Sequence, residues 1–150
     1  MKIMKLTIDD VKNHKKELIS MLKQSFKSSF PGQDFSEESY ENRIESLKNF
    51  LKENKAIIFG CKKTDILIGF IWFFRKDSNT IHINHFVVDE QYRRLGVGKL
   101  LWNQVEEHAI NEKLIDIELF VTKENDSAVN FYTKRDFEID RFVMKKRLFK

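Results

Sequence analysis

A chain of 150 residues, 41% hydrophobic and 33% charged, can bury one core of its own and is too apolar to stay disordered. Its 27 basic and 23 acidic side chains leave +4, a mild excess that, with no dense basic run interleaved with aromatics, argues against a nucleic-acid-binding domain and leaves room for a basic rim that attracts a polyanion. Cys61 is the single cysteine, so neither an internal disulfide nor a cysteine metal site can form, and no stretch reaches the ~18 uncharged apolar residues that cross a bilayer.

Residues 3–8 alternate weakly and read as a first strand. Asp9 or Asp10 can cap the helix that follows, which runs to about Ser28 with Val11, Leu18, Leu22 and Phe26 at helical spacing. Pro31-Gly32 breaks the chain, and Ser36 opens a second helix marked by Tyr40, Ile44, Leu47 and Leu51. From Lys55 the period changes. Ala56–Cys61, Ile66–Phe74 and Thr80–Val88 read as three strands of an antiparallel meander, the last two separated by a turn at Ser78-Asn79. Helical spacing returns from Gly96 to about Asn111. Ile115–Val121 alternates as a strand, Asn125 or Asp126 can cap a fourth helix, and Phe137–Leu148 reads as one or two closing strands.

The order is βααβββαβαβ(β). It implies an α/β, more narrowly α+β, domain over residues 1–150, with a mixed, mostly antiparallel central sheet flanked by helices on both faces. Cytoplasmic location follows by default, with no membrane partner.

The segment from His85 to Leu101 carries the most chemistry. A strand runs into a polar turn, then Arg93-x-x-Gly96-x-Gly98, then a helix. Glycines let backbone amides approach a ligand and point one way, and a helix start favours an anion. Arg93, Arg94 and Lys99 add positive charge. A pyrophosphate fits this arrangement, and so does a plain tight strand-to-helix connection. A Walker loop is excluded by the glycine spacing.

Val87–Leu101 resembles the acetyl-CoA signature of the GNAT superfamily of N-acetyltransferases, whose core is Arg/Gln-x-x-Gly-x-Gly/Ala. Asn125-x-x-Ala128-x-x-Phe131-Tyr132-x-Lys134 resembles that family's later motif, and the element order agrees over nearly the whole chain. One departure is Asp136 before Phe137, where the family often has Gly; Asp tolerates the left-handed conformation better than most residues.

The resemblance implies acetyl-CoA as the acyl donor. Amides from Arg94 through Leu95, Gly96, Val97 and Gly98 to Lys99 would hold its pyrophosphate, with Arg93 beside them. Phe86, Val87 and Val88 would splay from the strand at Leu119 and pair with the pantetheine arm, which Asn125 would also contact. Tyr132 would supply a proton or hydrogen bond to the leaving thiol. The base is open among His82, His85 and Glu118. Simple alternation puts His82 and Asn84 on one face and His85 on the other, so the two histidines would not share a metal; none is expected. His14 and His108 read as helix-surface residues.

The acceptor would be an amine of a small molecule, peptide or protein, entering between the first two helices and the central strands. Asp34, Glu37, Glu38 and Glu41 could attract it there. A charged tRNA acceptor, a catalytically silent acyl-CoA sensor or interaction module, and a homodimer are the alternatives that the sequence leaves open.

Overall fold

Thr7 opens the first helix through a reciprocal cap. Its hydroxyl accepts from the Asp10 amide at 3.1 Å, and the Asp10 carboxylate accepts from the Thr7 amide at 2.8 Å. The expected Asp cap is therefore corrected. Thr7 has the extended backbone that a cap needs, and Asp10 serves from the third helical position. The expected single helix is also two. At His14 (φ −107°, ψ 21°) the chain leaves helical geometry, dividing α1 (Ile8–Asn13) from α2 (Lys15–Ser29). Ser36 caps α3 (Glu37–Lys52) as its sequence implies.

The computed structural model describes residues 1–149; Lys150, the last residue of the expected domain, lies outside them. It resolves into two compact units, Met1–Phe120 and Val121–Lys150. The first holds the whole sheet, in spatial order β1 (Lys2–Lys5), β2 (Ala56–Lys63), β3 (Ile66–Arg75), β4 (Thr80–Val88) and β5 (Asp116–Leu119). Neighbours from β1 to β4 run antiparallel, while β4 and β5 are parallel. A short 3₁₀ turn (Glu90–Tyr92) and α4 (Val97–Asn111) connect β4 to β5.

Helices cover both faces of this sheet. Val11, Leu18, Leu22, Phe26, Ile44 and Leu47 from α1–α3 pack on Ile58, Phe70, Trp72 and Val87. Each such side chain contributes roughly 1.5–3 kcal/mol by leaving water. On the other face Val97, Leu101, Trp102 and Val105 of α4 are buried, and Phe73 meets His108 at 5.3 Å between ring centroids. A side chain at Gly69 would place its Cβ 3.0 Å from Val97 and 3.2 Å from Leu101, so the bare backbone there seats α4 close to β3. Cys61 is buried, as expected, and burial raises its thiol pKa.

The β3–β4 ladder carries a bulge. Trp72 pairs with His85 but Phe73 pairs with Ile83, so Asn84 is an extra residue in β4. Residues directly opposite share a face. His85 therefore lies on the face of Trp72, and His82, opposite Phe74, lies on that same face. The expected opposition of the two histidines is thus corrected: one inserted residue resets the alternation.

The second unit contains α5 (Asp126–Thr133), capped by Asn125, whose Oδ1 accepts from the Ala128 amide at 3.3 Å. The closing strands expected over Phe137–Leu148 are not formed among the described residues, and Ile139, Phe142, Val143 and Met144 are exposed. Alternation selects a face but supplies no hydrogen-bond partner, and a strand exists only in a ladder. The strand expected over Ile115–Val121 likewise contracts to β5, the span that β4 pairs.

Replacing Gly69 with Val should overpack the β3–α4 contact and lower stability by about 1–3 kcal/mol. Urea denaturation would show it as a reduced midpoint at unchanged slope.

Candidate functional site

The turn after β4 is tied down on several sides. The Asp89 amide donates to the Ile68 carbonyl at 2.8 Å, and the Asp89 carboxylate accepts from the Gln91 amide at 3.0 Å. The Glu90 amide donates to Gln24 Oε1 of α2 at 2.9 Å, and Arg93 Nε reaches the Val88 carbonyl at 3.2 Å. Beyond these anchors Arg94 and Gly96 take left-handed conformations, φ 64° and 83°. Gly96 is the N-cap of α4, no side chain caps that end, and no acidic residue sits in its first turn. A helix start leaves its first amides without intrahelical partners. Here they follow two residues with positive φ, an arrangement that turns successive N–H groups inward on an anion. Nothing lies within 4 Å of where a Cβ on Gly96 would sit. Arg93, Arg94, Leu95 and Lys99 are exposed around it, Gly98 is half-buried, and Val97 is buried as the anchor on Gly69.

β4 also forks from β5. Thr80–Ile83 pair with Asp116–Leu119, and there the ladder ends, while β4 continues to Val88 on β3 alone. The side chains along the open stretch are committed elsewhere. Val87 is buried in the core under α1–α3, and the Phe86 ring lies 6.0 Å from that of Trp102 on α4. What β4 offers along that edge is backbone.

At the base of the fork His82 and Glu118 are register partners, and His82 Nδ1 lies 2.6 Å from Glu118 Oε2. The other carboxylate oxygen accepts from Lys76 Nζ at 2.7 Å. The Lys76 hydrogen bond first, then that of His82, hold the Glu118 carboxyl below the usual carboxylate range. Phe74 and Phe120 flank the imidazole at 5.3 and 4.8 Å between centroids. Lys76 went unnoticed in the sequence, and only its place at a hairpin end could have suggested it.

His85 has different surroundings. It sits between Trp72 and Phe26, at 5.3 and 6.1 Å between centroids. Burial, aided by the charge of Arg43, pushes its pKa down to about 4. The Trp72 indole N–H beside it is buried without a partner among the described residues. His14 and His108 are not the surface residues expected. The His14 side chain is 11% exposed and bound to Glu17, and burial lowers the pKa of His108.

The ends of α2 and α3 and the Pro31-Gly32 loop bound an open cavity of about 640 Å³, lined by Phe26, Phe30, Phe35 and Tyr40 with Lys23, Lys27, Asp34 and Glu37. Of the four acids expected at an entrance, Asp34 and Glu37 line it. Glu37 pairs with Lys23, Glu41 pairs with Lys15 at 2.5 Å, and Glu38 is not among the lining residues.

In the second unit, Tyr132 packs on Phe131 and Phe137 at 5.5 and 5.3 Å between centroids. Burial, opposed by Arg135, pushes its pKa up to about 12, so the phenol keeps its proton. Asp136 adopts φ 65°, the left-handed turn for which its family position often has Gly.

The acetyltransferase (GNAT) family profile matches residues 19–137. A spermidine N(1)-acetyltransferase of Thermoplasma acidophilum is 27% identical over 160 aligned positions, covering 97% of this chain and 96% of that protein. A mutant protein of Bacillus halodurans has a similar fold (TM-score 0.83, 18% identity, 99% of this chain and 100% of that one). So does the PaiA N-acetyltransferase of T. acidophilum in complex with coenzyme A (TM-score 0.72, 22% identity, 93% and 92%).

His85 gives the fold an acid dependence. The unfolded chain binds the proton at an ordinary pKa near 6.5 and the folded chain only near 4, so stability falls as pH drops through that window. Urea unfolding should show a loss of about 2 kcal/mol between pH 7.5 and pH 5 from this group, absent in His85→Phe.

Proposed function

The chain belongs to the GNAT acetyltransferase family, and on that premise we propose that it transfers an acetyl group from acetyl-CoA to a primary amine of a small molecule or peptide. The observation that carries this reading is the uncapped, left-handed start of α4 at the end of a strand that has left its neighbour. The amides from Arg94 to Lys99 suit a diphosphate, with Arg93, Arg94 and Lys99 as the surrounding charge. The open backbone of residues 86–88 suits an extended arm with amide groups of its own, which Asn125 would also contact. The family match runs across the boundary between the two units, which supports one catalytic domain.

The donor supplies an activated acetyl group and a thiol leaving group. The chain must help make the amine neutral and stabilise the departing thiolate. Neutralising a lysine-like amine of pKa ~10.4 at pH 7 costs about 4.6 kcal/mol, so a base is needed. We assign that role to His82. Glu118 Oε2, an anionic acceptor, fits a proton on Nδ1 and leaves Nε2 with its lone pair. His85, the other histidine candidate, is a poor base because its environment disfavours the protonated ring. As the amine nitrogen bonds to the acetyl carbon and the carbon–sulfur bond breaks, the amine proton passes to His82. The Tyr132 hydroxyl is assigned the hydrogen bond to the departing sulfur; a pKa of about 12 suits a donor that shares its proton more than it releases it.

For the acceptor, the cavity bearing Asp34 and the rings of Phe30 and Phe35 suits a cationic amine, which would compete there with Lys23 and Lys27 for the carboxylates. The polyamine substrate in the name of the spermidine-acetylating relative points the same way.

Thiol release from acetyl-CoA, followed against polyamines, aminoglycosides, lysine peptides and charged tRNA, tests the reading. Turnover with polyamines is expected; tight cofactor binding without turnover on any amine would instead mark a silent sensor. Gly96→Glu should weaken acetyl-CoA binding by roughly 30-fold or more in calorimetry, through backbone strain and a carboxylate placed on the anion site. Tyr132→Phe should lower kcat about tenfold or more, with little change in acetyl-CoA affinity.

A further inference from the structure

Resting on the reading of His82 as the base, we propose that Lys76 is a positioning residue for acetyl transfer, acting on His82 through Glu118. The backbone holding Lys76 is fixed by its own hairpin. The Lys76 amide donates to the Thr80 carbonyl at 2.9 Å, and Asp77 Oδ1 accepts from the Asn79 amide at 2.8 Å. The Arg75 guanidinium closes the turn on the carbonyls of Asp77 and Ser78, at 3.2 and 3.0 Å. From this turn the Lys76 ammonium reaches Glu118 Oε1 at 2.7 Å, and Glu118 Oε2 meets His82 Nδ1 at 2.6 Å. Each carboxylate oxygen has one partner, so the carboxylate plane is set from the lysine side and its second oxygen is presented to the ring.

The ammonium occupies Oε1 and leaves Oε2, an acceptor only, facing the ring, which holds the proton on Nδ1 and the lone pair on Nε2. The other groups facing His82 are Phe74 from β3 and Phe120 beyond β5, both uncharged, while Asp116 lies two positions along β5 on the Glu118 side. Lys76 neither gains nor loses a proton in the reaction. The amine proton goes to Nε2 and the Nδ1 proton stays on the ring.

Lys76 is half-exposed, so Lys76→Met should fold. Its kcat with a polyamine acceptor at pH 7 should fall about 3- to 10-fold with KM for acetyl-CoA unchanged, and the acid limb of kcat/KM should shift. Lys76→Arg should restore both. A Lys76→Met profile that superimposes on the parent overturns the proposal. His82→Gln separates the two ideas: if it leaves the acid limb in place, the base assignment fails instead. Nitrogen-15 NMR of the His82 ring needs no substrate. The Nδ1-protonated tautomer should lose population in Lys76→Met, and an unchanged population overturns the role of Lys76 whatever the turnover.

Discussion

Pairing along β4 runs the length of one edge, interrupted only at the Asn84 bulge, and stops halfway along the other. Next to β3 the strand is paired from Ile81 to Val88, whereas next to β5 it is paired only to Ile83. Backbone groups exposed in this way need partners. Three features of Met1–Phe120 lie around that stretch: the left-handed turn at its end, the His82–Glu118 pair at its base, and core side chains that hold it from both faces. Val87 and Phe86 pack against opposite layers, which holds this end of the strand on β3 without a second neighbour.

Much of this was legible in the residues. The meander of β2, β3 and β4 was written in runs of β-branched and aromatic residues, and β4 came out with the ends its composition implied, Thr80 and Val88. The glycine turn before α4 was legible because positive φ and a helix start both leave marks in sequence. The bulge was not. Asn84 is a polar residue in a strand, which any simple alternation accommodates, and only the partner strand reveals that one position is extra. The break at His14 was hidden for a related reason: Val11, Leu18 and Leu22 keep helical spacing across it, and periodicity counts faces rather than backbone hydrogen bonds. The closing strands failed in the opposite sense, with a pattern present and no ladder formed to use it.

The two histidines of β4 show how far environment outweighs residue type. They share a strand and a face. One lies between aromatic rings where a charge is costly, and the other beside an anionic carboxylate that is itself balanced by an ammonium. Sequence offered both as equals. Their separation rests on Glu118 and Lys76, which meet only because β5 runs parallel beside β4 and the β3–β4 hairpin ends next to it.

The seat that Gly69 provides for Val97 also has a consequence for molecular drift. The start of α4 presents peptide groups, so most changes at the exposed Leu95 or Lys99 would leave its backbone shape intact. That shape depends instead on two glycines, one at 69 that seats the helix and one at 96 with a positive φ. Such a surface can diverge widely in its side chains while its backbone persists, and can be disturbed by adding a single carbon in the wrong place.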